Sequence, residues 1–384
     1  MINLAYKDIS HSLSKFLITA VSVGILLGIV VIMIGVYRGM IYDAKSLIND
    51  IKADIWVVQQ DTFGPFAQSS RVHEDLQNQI SYQNGIKTAE AITFQTLQME
   101  NRYGDFKAML VGYDPFGKIQ VINKNKLVAG RVLQKQHYEI VVSQKTKYKL
   151  GEYIQLGRDK FKVVGITKNT VSNGGDYLMF VSLKDAEVLQ FTYTNERIRS
   201  DMSRGIKGEN PHLVNAIIAQ VEEGYNPTQV AKGIEIATHK KVFTKAEQSK
   251  ILMQKVIKMA AKQIGLFTVI LIIVSIVIIA LIIYTSVLEK IKEISILKLI
   301  GIPNLTISMM IIEETVVLGI LAFISGNIFA HLIKGYFPKR IVLEASDSFS
   351  FFVVILISSI FASLFGIYKV LKTDPSSAIG GWYG

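Results

Sequence analysis

The sequence contains no cysteine, and it has only 7 prolines and 6 histidines among 384 residues. The absence of cysteine excludes disulfide bonds, thiolate metal sites and a cysteine nucleophile. The histidines stand apart from one another and lack the spacing of metal-binding motifs, so we expect surface or loop positions for them. A GxxxxGK[ST] phosphate loop and the HExxH, GxSxG and EF-hand patterns are missing as well. We therefore predict that the chain binds no metal or cofactor of its own and does not hydrolyse ATP.

Charged residues are scarce in four long segments, residues 16–37, 263–288, 305–332 and 351–368. About 20 apolar residues are enough to cross the hydrocarbon of a bilayer, so we predict four transmembrane helices. The first segment is too long for a signal peptide, and no small-x-small cleavage site follows it. Half of the residues are hydrophobic and the net charge is +11. We attribute this charge to contact with anionic lipids and not with nucleic acid.

Residues 53–243 have the composition of a soluble α+β domain. Segments rich in β-branched and aromatic residues predict strands at 54–58, 91–100, 106–111, 139–143, 153–156, 161–166, 177–181 and 215–221. Residues 118–189 are expected to form a small β-rich lobe. Helical segments at 38–52 and 244–262 flank the domain and predict a stalk. The second of them opens with the capping-box pattern Thr244-Lys-Ala-Glu247.

The remaining stretches are short. Residues 1–15 place apolar side chains at helical spacing and predict a helix that lies in the membrane interface. Residues 333–350 are expected to form a short loop, and residues 369–384 a tail.

Small residues recur every four positions in the first span, at Ala20, Gly24 and Gly28. Such a stripe allows another helix to approach closely. That helix belongs either to a second copy of the chain or to the same chain, and the spacing favours neither.

The third span carries two neighbouring acidic residues, Glu313 and Glu314. An ionisable side chain at membrane depth indicates a functional role for one of this pair. The alternative is that the pair lies at the interfacial end of the helix.

Residues 289–304 connect the second and third spans. Val287, Ile291 and Ile294 have the spacing of one helical face, while Glu289 and Glu293 point elsewhere. We predict a stiff amphipathic connector that transmits force from a partner bound on its side of the membrane.

Order and motifs together resemble the permeases of MacB/FtsX/LolC-type ABC transporters. The connector LEKIKEISILKLIG is similar to the family's Glu-Arg-x-x-Glu-Ile run before a Gly-Ala turn, and Asp374, Pro375 and Ala378 match its Asp-Pro-x-x-Ala tail. Glu314 falls on the family's acidic position at the start of the third span, so the resemblance assigns the functional role in that span to Glu314. Residues 139–181 resemble the family's stretch of a "vvs" strand, a Leu-Gly turn and a "VVGI" strand. Residues 54–71 look closest to the DevC-like branch, which has a separate ATPase.

This resemblance implies an integral membrane α-helical protein with four transmembrane helices and a large extracytoplasmic α+β domain on a helical stalk. It implies a homodimer in the bacterial cytoplasmic (inner) membrane, with a separate cytoplasmic ATPase that carries ATP and Mg²⁺, an adaptor and an outer-membrane channel. On the family's pattern, the ATPase contact would comprise Glu289, Lys290, Lys292, Glu293, Ile294, Leu297 and Gly301.

The function implied is that of a permease subunit that couples the partner's ATP hydrolysis to motion of the extracytoplasmic domain and drives export or extraction of a hydrophobic or amphiphilic substrate. Two alternatives stay open: an FtsX-like scaffold that activates a cell-wall hydrolase, and a lipoprotein-releasing permease. More Lys and Arg residues flank the presumed outer ends of the spans than the presumed cytoplasmic ends. This is opposite to the positive-inside rule, so orientation rests on the resemblance.

Overall fold

The computed structural model describes residues 9, 13–194, 212–337 and 340–372. These residues fall into two compact units: a helical unit, Met1–Gly39 with Ala260–Gly384, and a sheet unit, Met40–Met259. Most of the predicted interfacial helix at residues 1–15, and the predicted tail from residue 373 onward, lie outside the described residues.

The helices of the predicted spans, stalk segments and connector begin and end close to those segments, and three further described helices lie in the sheet unit. In chain order they are α1 (Leu13–Asp50), α2 (Leu76–Ser81), α3 (Leu183–Thr194), α4 (Pro227–Thr238), α5 (Lys245–Leu252), α6 (Lys258–Glu289), α7 (Ile291–Leu299), α8 (Asn304–Ile333) and α9 (Ala345–Lys372).

Within the described residues, α1, α6 and α8 are long and apolar enough to cross a membrane. The fourth predicted span lies in α9, where the apolar helical segment Ile355–Tyr368 is shorter. The structure therefore has three spans by this measure, and a count of four stays a prediction.

The core of the helical unit contains side chains from every one of its long helices. Val30 of α1, Ile283 of α6, Leu318 of α8 and Ile355 of α9 belong to one buried apolar cluster. The connector helix α7 joins the same cluster through Ile294. Because α7 is packed into this core, it is part of the helical unit and not a loose loop.

The sheet unit is built on twelve described strands. They are β1 (Ile55–Val58), β2 (Val72–His73), β3 (Ile86–Asn101), β4 (Gly104–Tyr113), β5 (Leu127–Gly130), β6 (Glu139–Ser143), β7 (Tyr153–Leu156), β8 (Asp159–Thr167), β9 (Tyr177–Ser182), β10 (Leu213–Val214), β11 (Ala216–Val221) and β12 (Lys241–Thr244). All eight predicted strands are confirmed as β1, β3, β4, β6, β7, β8, β9 and β11. Strands β2, β5, β10 and β12 were not predicted. Strands β2 and β10 have only two residues each, which is too short to show alternation.

Ten strands form one sheet in the order β12-β1-β11-β3-β4-β9-β6-β8-β5, with β7 paired to β8. The pairs β4–β9 and β6–β8 are parallel and the other pairs are antiparallel. Two separate apolar cores pack on this sheet, one around Ile55 and Ile217 and one around Ile140 and Phe161. The predicted β-rich lobe is thus continuous with the rest of the domain through hydrogen bonds, and its core also contains Leu97 of β3 and Leu110 of β4.

The predicted capping box is confirmed at the start of α5. Thr244 Oγ1 accepts a hydrogen bond from the Glu247 backbone N–H at 3.2 Å, and the Glu247 carboxylate accepts one from the Thr244 N–H at 2.9 Å. The predicted helical segment 244–262 is not one regular α-helix, because a π-helical turn at Met253–Ile257 separates α5 from α6.

Candidate functional site

Two ion pairs fix the junction between α6 and α7. Lys15 of α1 pairs with Glu289, the last residue of α6. Lys290, the single residue between the helices, places its Nζ 3.3 Å from Glu314 Oε1 of α8. The junction is therefore tied to α1 on one side and to α8 on the other.

The two pairs differ in their exposure to solvent. Lys15 and Glu289 are exposed, and an exposed pair contributes about 1 kcal/mol or less to stability. Glu314 is buried and Lys290 is largely buried. Removing one partner of such a pair leaves an uncompensated charge, which costs about 3–5 kcal/mol. The Lys290–Glu314 pair therefore holds the junction more firmly.

The structure places Glu314 inside the helical unit and not at an exposed helix end. Its neighbour Glu313 is exposed, whereas Glu314 shares a cleft of about 210 Å³ with Lys15, Glu289 and Lys290. Apolar side chains including Ile283 and Leu318 line the rest of this cleft together with three hydroxyl residues, Thr19, Thr285 and Ser286. Glu314 thus provides the negative charge that pairs with Lys290 of the connector.

The connector helix α7 has one buried and one exposed face. Ile294 is 1% exposed and packs in the helical core, Ser295 is buried, and Leu297 packs against the same core. The residues of the opposite face recur at spacings of three and four and are exposed; they are Lys292, Glu293, Ile296, Leu299 and Ile300. This exposed face combines two charges with three large apolar side chains.

Gly301 ends α7 in a Schellman motif. Its φ is +92°, the Gly301 N–H donates to the Lys298 carbonyl at 3.0 Å, and the Ile302 N–H donates to the Leu297 carbonyl at 3.1 Å. Ile302 and Leu297 both pack against the helical core, and an apolar contact at these two positions frequently accompanies this motif. Gly301 is needed because a left-handed conformation is costly for residues that carry a Cβ.

The small-residue stripe of α1 packs against α8 of the same chain. A Cβ added at Gly24 would lie 2.7 Å from the Ala322 carbonyl oxygen, and one at Gly28 would lie 2.8 Å from the Gly326 carbonyl oxygen. Ala20 is buried, and its carbonyl accepts a hydrogen bond from the Ser325 hydroxyl at 3.3 Å. Of the two alternatives left open by the sequence, contact within the chain is the one that the structure contains.

The seven predicted contact residues therefore separate into groups. Lys292 and Glu293 lie on the exposed face, Glu289 and Lys290 form ion pairs within the chain, and Gly301 ends the helix. Ile294 and Leu297 face the core, which corrects their assignment to a surface contact.

Sequence reasoning missed the apolar part of the exposed face, Ile296, Leu299 and Ile300, although their spacing signals a shared helical face. It also missed the pairing of Lys15 with Glu289, because residues 274 positions apart share no local pattern.

Two family comparisons cover most of the chain. Residues 16–237 match the family described as MacB-like periplasmic core domain, and residues 265–375 match the family described as FtsX-like permease C-terminal.

Relatives are similar over their full length. An uncharacterized ABC transporter permease of Mycobacterium tuberculosis is 22% identical over 381 residues, which cover 99% of this chain and 100% of the relative. A protein of Staphylococcus haemolyticus named as the hemin transport system permease protein HrtB is 24% identical over 406 residues, covering 99% of each chain.

Two solved structures show a distant likeness. The extracellular domain of the noncanonic ABC-type transporter YknZ from Gram-positive bacteria is 15% identical, with a TM-score of 0.32, and the match covers 50% of this chain and 98% of that domain. The periplasmic region of MacB from Actinobacillus actinomycetemcomitans is 14% identical, with a TM-score of 0.34, covering 52% of this chain and 92% of that region.

Proposed function

Because the chain belongs to the family of ABC transporter permeases that join a MacB-like periplasmic core domain to an FtsX-like C-terminal domain, we propose that it transmits the work of a separate cytoplasmic ATPase to its extracellular core domain. It is a membrane protein with an extracellular domain. The transmitted motion would drive export or extraction of a hydrophobic or amphiphilic molecule.

The observation that carries this proposal is the division of α7 into an exposed face and an anchored end. The exposed face carries three large apolar side chains, Ile296, Leu299 and Ile300. Exposed apolar patches commonly mark interaction sites, so a partner protein would cover these side chains. Lys292 and Glu293 would add charged contacts that orient the partner. ATP and Mg²⁺ would be held by that partner.

The ion pairs at the N-terminal end of α7 would transmit a displacement of α7 to neighbouring helices. Lys290 is paired with Glu314 of α8, and the adjacent Glu289 is paired with Lys15 of α1. A displacement of α7 would therefore act on both of those helices. Helix α1 runs without interruption from Leu13 to Asp50, so it connects the two units covalently as one element.

Within the sheet unit, the last turns of α1 are held by a buried ion pair. Lys126 Nζ lies 2.6 Å from Asp50 Oδ2 and donates to Ser46 Oγ at 3.0 Å. Both side chains are shielded from solvent. This contact would transfer movement of α1 to the part of the domain around β5.

The experiment separates docking from transmission by means of two variants in lipid nanodiscs with the ATPase that copurifies from the native membrane. Ile300→Asp introduces a charge into the apolar face, and we expect at least ~10-fold weaker ATPase binding, as at an interface hot spot. Lys290→Gln removes the anchor but leaves the exposed face intact, so the ATPase should bind normally while its stimulation falls.

Ile236→Asp is the matched control, because Ile236 on α4 of the sheet unit is 76% exposed and Ile300 is 73% exposed. We expect this control to behave as the wild type. Equal ATPase binding by the Ile300 and Ile236 variants, with both proteins folded, would show that α7 is not the docking element.

Stimulation of ATP hydrolysis also tests the cargo. Relatives in Staphylococcus are named as hemin transport permeases, so hemin is the first amphiphile to add, followed by detergents and lipopeptides. Stimulation by such compounds supports export. Stimulation by a lipoprotein, or activation of a cell-wall hydrolase without any cargo effect, would support the two alternative functions. A homodimer in the bacterial inner membrane, an adaptor and an outer-membrane channel belong to the proposal as further partners.

A further inference from the structure

Three side chains of the metal-binding type converge in the sheet unit, away from the coupling junction. They are Glu74, which follows β2, Glu187 in α3, and His212, which precedes β10. One ligand atom from each lies within 4.8 Å of the others. His212 Nδ1 is 3.5 Å from Glu74 Oε2 and 4.0 Å from Glu187 Oε2.

The backbone explains why these residues meet. Strands β2 and β10 pair with each other, with His73 opposite Leu213. The ladder continues one step further, since the Glu74 N–H donates to the His212 carbonyl at 2.6 Å. Two of the three candidate ligands are thus held side by side by main-chain hydrogen bonds.

Glu187 is positioned by the packing of its helix. Ala186 and Leu189 of α3 are buried in one apolar core of the sheet unit, and Leu183 is buried in the other. This packing fixes α3 against the sheet and directs Glu187 towards Glu74 and His212. The cluster therefore has a preformed backbone frame.

Within the described part of the chain, Glu187 lacks one hydrogen bond, and Lys184 makes only long contacts with the two carboxylates. Glu187 is 8% exposed, and its Oε1 has no hydrogen-bond partner among the described residues. Lys184 Nζ stands 3.5 Å from Glu74 Oε2 and 3.8 Å from Glu187 Oε2, which is too far for a strong hydrogen bond.

We propose that Glu74, Glu187 and His212 bind a divalent cation of the zinc class. One imidazole nitrogen and two carboxylate oxygens form a mixed donor set that suits Zn²⁺ better than Ca²⁺ or Mg²⁺, which prefer oxygen ligands alone. His212 is half exposed, so water can complete the coordination. Without the cation, the ammonium group of Lys184 supplies the positive charge beside the two carboxylates. Because the Lys184 side chain is partly exposed, it can move away when the ion binds.

The ligand atoms would have to move only slightly. Zinc–ligand distances of about 2.0–2.2 Å in a tetrahedral site place ligand atoms about 3.4 Å apart. Rotation of the partly exposed Glu74 and His212 side chains can close the observed spacing. The bound ion would link the β2–β10 pair to α3. Such a site would differ from our sequence-based expectation that the chain binds no metal.

The test uses the full-length protein in detergent, stripped of metal with a chelator and titrated calorimetrically with ZnCl₂. We expect one Zn²⁺ per chain, with much weaker binding of Ca²⁺ and Mg²⁺. Glu187→Gln and His212→Ala should each weaken Zn²⁺ binding by at least ~10-fold. Lys184→Gln should strengthen it, because it removes the competing positive charge.

His73→Ala is the matched control, since the His73 side chain is 53% exposed and that of His212 is 54% exposed. His73 lies in β2, and His212 directly precedes the partner strand β10. This variant should bind Zn²⁺ like the wild type. Thermal unfolding without metal checks that each variant is folded, and the isosteric Glu187→Gln protects the test if His212→Ala is not. Zn²⁺ binding that is absent, that survives both ligand substitutions, or that weakens in Lys184→Gln would overturn the proposal.

Discussion

At the scale of single residues, two buried carboxylates of the sheet unit show opposite electrostatics. Glu139 accepts hydrogen bonds from Arg131 Nη1 at 3.0 Å and from the Gln134 N–H at 2.9 Å. The hydrogen bonds from Arg131 are the main reason why its pKa falls to about 2. Glu90 instead has a raised pKa, chiefly because of burial, although its Oε1 accepts a backbone hydrogen bond from Ile119. Burial alone therefore does not determine the direction in which the pKa of a carboxylate shifts. The hydrogen-bond donors around the carboxylate also contribute.

The Glu139 pair predicts a defined pH dependence of stability. The pKa of Glu139 is lower in the folded state than the ordinary value of 4.5, so the carboxylate stabilises the fold above pH 4.5. That contribution is lost as the pH falls towards about 2. Glu139→Gln should lower the free energy of unfolding at pH 7 by about 2 kcal/mol and should remove this part of the acid dependence.

Fluorescence of the buried Trp56 during urea unfolding, in a Trp382→Phe background, provides the measurement. Glu235→Gln is the control, because the Glu235–Lys241 pair is about one-third exposed and should contribute at most about 1 kcal/mol. An equal effect of the two substitutions at pH 7 would contradict the special role of Glu139.

At the scale of elements, glycine determines how closely α1 and α8 approach. Glycine within a helix ordinarily costs about 1 kcal/mol relative to alanine. At Gly24 and Gly28 this cost is offset, because a side chain there would collide with backbone atoms of α8. Gly265 of α6 is different, since an added Cβ would meet no atom within 4 Å.

We therefore expect Gly24→Val to destabilise the helical unit by about 2 kcal/mol through overpacking. Gly265→Val, in a helix of the same unit with free space around the position, should change the melting temperature little. Thermal unfolding in detergent compares the two, and size-exclusion chromatography reports the oligomeric state. A Gly24 variant that melts normally but loses dimers would instead assign the stripe to an interface between copies.

At the scale of the whole molecule, the membrane orientation that the family implies conflicts with the distribution of Lys and Arg near the span ends. Lys and Arg residues near the span ends favour the orientation opposite to the one that the family implies. Large soluble domains cross membranes largely regardless of charge, so the sheet unit of Met40–Met259 is a reason to discount the rule here.

Labelling with a membrane-impermeant maleimide tests this orientation without background, because the chain has no cysteine. Tyr82→Cys, at a site that is 90% exposed in the sheet unit, should react in intact cells. Lys292→Cys, on the exposed face of α7, should react only after the cells are permeabilised. Labelling of both positions from the same side would remove the basis for transmission across the membrane.

The sequence by itself determined the elements whose signals are local. Apolar runs located α1, α6 and α8, and β-branched segments located the longer strands, because hydropathy and alternation are properties of neighbouring residues. The capping box of Thr244 and the turn at Gly301 could be read in the same way, since both depend on residues within one helical turn. The connector was also recognised, together with its charges.

Only the tertiary structure decided which face of the connector is free and what holds its end. The pairs Lys15–Glu289 and Lys290–Glu314 join residues from different helices, and no local pattern specifies them. The same is true of Gly24 against Ala322, of the parallel β4–β9 pairing, and of the meeting of Glu74, Glu187 and His212. These contacts depend on how distant segments pack when the chain folds. The four-residue spacing of Ala20, Gly24 and Gly28 predicted a close helix contact, but no local pattern identified the partner segment.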